Sequence, residues 1–159
     1  MPKAVICAYA RTPIGKFRGA LANYSATELG SKVVEELLKR ADIDPKSGIV
    51  EQVYIGQVLQ AGSGQAPARQ VAINSGLPFS TPCTTINKVC GSSLKAVMIA
   101  ASEIISGHAN VIIAGGIESM SNSPYFTREK NKGDMIDSSA LNSITVSYTH
   151  LTLPTILLV

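Results

Sequence analysis

The sequence predicts an α/β domain, a sheet with helices on its faces. Short β-like runs alternate with helical patterns along the chain. A capping box opens the first helical pattern. The third helical pattern carries almost no charge, as a helix buried between layers would.

Ala4–Tyr9 reads as the first strand, closed by Arg11-Thr12-Pro13, and Gly15 to Asn23 as a polar loop. Ser25-Ala26-Thr27-Glu28 is the capping box, so a helix starts there. Leu29, Val33, Leu37 and Val34, Leu38, Ala41 then recur on one helical face. Asp42 to Pro45 ends that helix, and Val53–Val58 is the second strand. Gly62-Ser63-Gly64 leads into a helix from Ala66 to Ser75, with Gly76 as its cap and Pro78 beyond. Cys83–Ile86 is the third strand. Ser92 to Ser106 is the third helix, ended by Gly107, and Asn110–Ala114 is the fourth strand, opening onto Gly115-Gly116. In the third helix only Lys95 and Glu103 are charged, and Ala96, Ala100, Ala101 and Ser102 are small. Burial nearly all round is therefore expected for it, with close approach by other layers.

Composition narrows the function classes. The 159 residues are 45% hydrophobic and 16% charged, enough for one domain with a real core. The net charge of +3 is spread without a Lys/Arg block and there is no Trp, which argues against nucleic-acid binding and against an anionic membrane surface. The apolar run Ala4 to Ala10 is too short to span a membrane. Cys7, Cys83 and Cys90 are odd in number and lack metal-ligand spacing, and His108 and His150 complete no ligand set, so no metal is expected. Reduced thiols in the cytoplasm are the simplest reading.

The most informative residue is Cys90. It stands in Asn87-Lys88-Val89-Cys90-Gly91-Ser92-Ser93, where a β-like run gives way to the small-residue helix. A thiol at a helix N-terminus meets unpaired backbone N–H groups and the positive end of the helix dipole, a setting that favours the thiolate. Cys90 is thus the candidate nucleophile; the competing reading is a small cysteine that merely packs. Other motifs are weaker. Gly62-Ser63-Gly64-Gln65-Ala66-Pro67 partly imitates a dinucleotide loop, with Pro67 at the third glycine position. Glu118, after Gly115-Gly116, is either a general base or a carboxylate that orders backbone N–H groups. Structural readings lead for the rest: His108 as a histidine favoured by the helix dipole, Arg11 and Arg69 in ion pairs.

Four segments together resemble the N-terminal half of a thiolase: Arg11-Thr12-Pro13-Ile14-Gly15-Lys16-Phe17, Gly56-Gln57-Val58-Leu59-Gln60-Ala61-Gly62-Ser63-Gly64-Gln65, Asn87-Lys88-Val89-Cys90-Gly91-Ser92 and Gly115-Gly116-Ile117-Glu118-Ser119-Met120-Ser121. They keep the family's order over most of the chain. The resemblance implies an α/β/α layered half with a mixed, mostly parallel sheet and a buried nucleophile helix. Within the family, the stretch after the second strand and the Glu-Ser-Met-Ser turn point to the acetoacetyl-CoA type, an acetyl-CoA C-acetyltransferase. The implied reaction is ping-pong acyl transfer through an acyl-cysteine at Cys90, joining two acetyl-CoA into acetoacetyl-CoA and CoA or running the reverse thiolysis. The Cys90 backbone N–H would contribute to an oxyanion hole. Coenzyme A thioesters are substrates, no bound cofactor is implied, and the full-length parent would be a homotetramer or homodimer. The same motifs leave open a longer-chain 3-ketoacyl-CoA thiolase and a non-catalytic half-domain that binds a partner. A ketosynthase-like enzyme fits the flanks of Cys90 less well.

The family's activating His, in a Gly-x-His motif, and its second catalytic Cys, in a Cys-x-Gly motif, have no counterpart in this sequence. The chain therefore reads as a fragment that is inactive alone. The expected division is a domain core over 1–124, the start of an inserted loop region over 125–145, and a non-native tail over 146–159. Val146 to Thr155 matches the translation of a common transposase-adaptor sequence, and the family pattern is lost at the same place. The competing reading of the tail is a genuine β-like strand.

Overall fold

The computed structural model describes residues 3–124 and 155–158. Helix α1 (Ala26–Arg40) begins where the capping box predicts. The Ser25 N–H donates to Glu28 Oε2 at 2.7 Å, and the Glu28 N–H donates to Ser25 Oγ at 3.2 Å. Its apolar stripe, Val33, Val34, Leu37 and Leu38, is wholly buried. Helix α2 (Pro67–Asn74) starts on a proline, whose missing N–H costs nothing at that position. Its cap is Ser75, and Gly76 follows in the left-handed conformation at φ 87°. Helix α3 spans Ser92–Ile105.

The strands are β1 (Ala8–Arg11), β2 (Gln52–Gly56), β3 (Cys83–Ile86), β4 (Ile112–Gly116) and β5 (Thr155–Leu158). They form one mixed sheet in the order β1-β5-β4-β2-β3. β2 runs parallel to both β3 and β4, and β5 is antiparallel to β1 and β4. The sheet divides two helical layers. Val53, Ile55 and Ile113 pack with α1 and α2, whereas Ile112 and Ala114 pack with Ala96 and Ala100 of α3. The alternation along β4 is the two-residue period of a strand covered on both faces.

Three strand boundaries differ from expectation. The first strand begins at Ala8 rather than Ala4, because residues 3–7 find no neighbouring strand among the described residues and Val5 and Ile6 stay exposed. β2 stops at Gly56, since the Val58 N–H turns to the Glu118 carboxylate instead of a ladder partner. β4 begins at Ile112 because both Asn110 nitrogens bond Glu51 Oε1, and it continues through Gly116, which pairs with Gly56.

The larger correction concerns α3. Only Ser92, Ala96 and Ala100 are buried, while Leu94, Met98 and Ile105 are exposed at 65%, 52% and 51%. The small residues do let the helix press onto the sheet. Its opposite apolar face has no layer over it among the described residues, so α3 is not the buried central helix the sequence suggested. The expected loop region over 125–145 lies outside the described residues, as does the tail apart from β5. No helix among the described residues is long and apolar enough to cross a membrane.

Candidate active site

The parallel strands β2, β3 and β4 all end at one edge of the sheet, and Cys90 lies just past the end of β3. Crevices at the carboxyl ends of parallel strands are the usual ligand sites of open α/β sheets. Two glycines bring α3 down onto that edge. A Cβ on Gly56 would fall 2.5 Å from the Ser92 carbonyl carbon and 2.6 Å from the Ser93 nitrogen. One on Gly116 would overlap Ser93 Oγ.

The turn before α3 is tightly bonded. Gly91 N–H donates to Lys88 O at 3.0 Å and Ser92 N–H to Val89 O at 3.2 Å. Ser92 Oγ accepts from Lys88 N–H at 2.8 Å and donates to Val89 O at 2.6 Å. Val89 sits at φ 47°, a left-handed conformation that a β-branched residue adopts only under constraint. Cys90 is an exposed free thiol one residue before Gly91, the N-cap of α3. Among the described residues no side chain caps that helix, so its first N–H groups point toward the turn without a side-chain acceptor there.

Glu118 lines the same cleft as Cys90, together with Gly56, Gln57, Val58, Val89, Ser92, Ser93 and Ile117. Burial pushes its carboxyl above the usual carboxylate range, opposed by hydrogen bonds from the Val58 and Leu59 N–H groups. The cleft is small, about 20 Å³, room for no more than a water-sized group.

The remaining candidates take structural places. His108 follows the C-terminal end of α3, where its Nδ1 lies 3.2 Å from Glu103 Oε2. A helix of this length puts it roughly 20 Å from Cys90, out of reach as a base. Arg69 donates to Thr81 O at 2.9 Å and Phe79 O at 2.6 Å and lies over the Phe79 ring, tying α2 to the loop before β3. Arg11 ends β1, in register with Thr155. The glycine loop is filled from within: Gln70 Nε2 donates to Ser63 O and Gln65 O at 2.7 and 2.8 Å, and Ala68 N–H is taken by Thr85 Oγ1 at 3.0 Å. His150 lies outside the described residues.

Two residues gain weight that their sequence positions did not give them. Asn87 Nδ2 donates to Val58 O at 3.1 Å, and Asn87 Oδ1 accepts from Val89 N–H at 3.0 Å. Gln57, almost fully buried, donates to Leu59 O and Ser63 Oγ and fixes the loop after β2. The sequence marks Asn87 as a small hydrogen-bonding flank of Cys90, and Gln57 only by its place in the Gly56–Gln65 segment.

Residues 4–152 match the family model described as thiolase, N-terminal domain. The chain belongs to the thiolase family. The mitochondrial acetyl-CoA acetyltransferase of Mus musculus is 51% identical over 123 residues, covering 77% of this chain and 28% of that protein. Acetyl-CoA acetyltransferase 2 of Arabidopsis thaliana is 50% identical over 136 residues, covering 86% of this chain and 33% of that protein. The Acat5 thiolase of Ascaris suum, solved in complex with coenzyme A, superimposes with a TM-score of 0.79 at 40% identity over 84% of this chain and 35% of its own. The thiolase chain described here thus spans about a third of the length of the relatives it matches. The family and the α/β fold that the motifs imply are borne out.

Proposed function

We propose that this chain supplies the nucleophilic half of an acetyl-CoA C-acetyltransferase. The observation that carries the reading is Cys90, exposed at the open N-terminus of α3 in the turn that holds the family's cysteine motif. The Cys90 thiolate attacks the thioester carbonyl of acetyl-CoA, the C–S bond to CoA breaks, and CoA leaves as its thiolate to take up a proton. The α-carbon of a second acetyl-CoA, deprotonated by a base, then attacks the acyl-cysteine and frees the Cys90 thiolate with acetoacetyl-CoA. Thiolysis runs the same steps backward. The Cys90 N–H at the helix end is a donor for the carbonyl oxygen as it gains charge.

The base expected in Gly-x-His and the second cysteine expected in Cys-x-Gly have no counterpart in this sequence. Acylation of this chain alone is expected to be slower by roughly 10²–10⁴, the usual contribution of general-base help. The parent enzyme is proposed as a homodimer or homotetramer. Unpaired thiols suit a reducing compartment such as the cytoplasm; the Mus musculus and Bos taurus relatives carry mitochondrial names. The bare apolar face of α3 favours, as a second reading, a half-domain that acts by docking a partner. We also hold to the division at 124 and 145, with 146–159 read through from adaptor DNA. Strand pairing through backbone groups is open to any β-compatible peptide, so β5 is neutral on its origin.

The test is incubation with acetyl-CoA, an acid quench and peptide mass spectrometry. One acetyl group mapped to Cys90, and lost in Cys90→Ala, is expected. Acetylation equal on Cys7 and Cys90 would sink the acyl-transfer reading and bring partner docking forward. Sequencing the source DNA across Thr145 tests the tail.

A further inference from the structure

We propose that Glu118 and Asn87 are positioning residues that set the Cys90 turn, acting through the loop at Val58 and Leu59. The inference rests on the reading of Cys90 as the nucleophile and adds to it what holds that nucleophile in place.

The connections run across the ends of all three parallel strands. Ile117 N–H donates to Gly56 O at 2.9 Å, which sets Glu118 beside the end of β2. Its carboxylate accepts from Val58 N–H at 2.9 Å and from Leu59 N–H at 3.2 Å. Among the described residues it makes no ion pair, so these two N–H groups are its partners. The peptide unit they fix presents Val58 O to Asn87 Nδ2, and the other end of the Asn87 amide takes the N–H of Val89. Val89 is the left-handed residue immediately before Cys90. A strained turn persists only where its surroundings over-determine it. Asn87 is suited to this joint because one amide both donates and accepts. Released from it, the turn relaxes and carries Cys90 away from the open end of α3. Displacement of a reacting group by about 1 Å is enough to cost on the order of 10²-fold in rate.

Asn87→Asp separates the two halves of the joint. The carboxylate still accepts from Val89 N–H but cannot donate to Val58 O. Glu118→Gln breaks the other link, because one amide end presents donors to the backbone N–H pair. The readout is the site-resolved rate of alkylation by iodoacetamide at Cys90 and at Cys83 in the full chain. Cys83 is half-buried, with its thiol donating to Thr81 O at 3.3 Å, and reports general loosening. A thiol held against an open helix N-terminus reacts faster than a free one. Each variant should therefore slow alkylation at Cys90 about threefold or more and leave Cys83 unchanged. The double variant should be little slower than either single one, since both break one series of contacts. Unchanged Cys90 rates, additive effects, or a parallel rise at Cys83 would overturn the relay. Should Glu118→Gln fail to fold, Asn87→Asp with the Cys83 control decides alone. Alkylation needs no acetyl-CoA. A chain acetylated equally on Cys7 and Cys90 that still shows these rate changes keeps the relay and loses the acyl-transfer reading.

Discussion

Gly116 on β4 and Ser93 in the first turn of α3 touch so closely that no side chain fits between them. The strand backbone is itself the floor on which α3 rests. Gly56 does the same beneath Ser92. Gly116→Ala must push α3 off the sheet at its Cys90 end. Overpacking of this kind costs about 1–3 kcal/mol. The expected result is a lower melting temperature together with altered Cys90 alkylation. Gly107→Ala serves as the contrast: a Cβ there meets nothing within 4 Å, although its φ of 75° strains alanine. It should destabilise the chain without touching Cys90 reactivity.

Glu118 makes stability depend on pH in a definite direction. Burial raises its folded-state pKa above the unfolded value. Between the two values the folded chain binds more protons, so this carboxyl's contribution is fully present below the unfolded pKa and falls as pH rises through the folded one. Glu28 and Glu36 are held low by Ser25 and Arg40, and their contributions run the opposite way, lost only as pH falls. Urea melts of the parent and Glu118→Gln from pH 4 to 8 isolate the first effect. The stability of the parent relative to the variant should decline across that range and then level off. A difference that grows with pH would show that the two backbone N–H bonds outweigh burial.

The uncovered face of α3 predicts self-association. Leu94, Met98 and Ile105 make an exposed apolar stripe next to Val89, itself 50% exposed. Patches of this type mark interaction or aggregation surfaces. Met98→Lys should lower concentration-dependent light scattering severalfold and leave the melting temperature within about 1 °C, since the side chain is exposed. A sharply melting monomer in the parent at high concentration would count against it.

Much of the fold was legible along the chain. Ser25 and Glu28 are three residues apart, so the capping box lies in one local window. The stripe Val33, Leu37 and Val34, Leu38 repeats at helical spacing and is buried as its period requires. Cys83–Ile86 needed only a short β-rich run bounded by prolines and a polar turn. The ends of β1, β2 and β4 were not legible, because a strand stops where its partner stops. Val58 leaves the ladder for a carboxylate 60 positions away.

The place of Cys90 at a helix start was legible from its flanks, and Glu118 narrowed to two roles of which the structure supports the ordering of backbone N–H groups. What joins them could not be seen. Asn87 reads only as a hydrogen-bonding flank of Cys90 until β2 and β3 are set side by side and its amide spans Val58 and Val89. The third helix misled for a related reason. A stripe of alanines says that something approaches closely, but not that every face is covered.

The sequence by itself determined the α/β class, the three helices, the thiol at a helix start and the family motifs, because these depend on hydrogen bonds and periodicities spanning a few residues. Tertiary structure decided the strand order, the contacts of Gly56 and Gly116 with α3, the exposure of Leu94 and Met98, and the connection from Glu118 through Asn87 to the Cys90 turn. Each of these joins residues far apart in the chain, and their meeting is set by how β2, β3 and β4 pair rather than by any local preference.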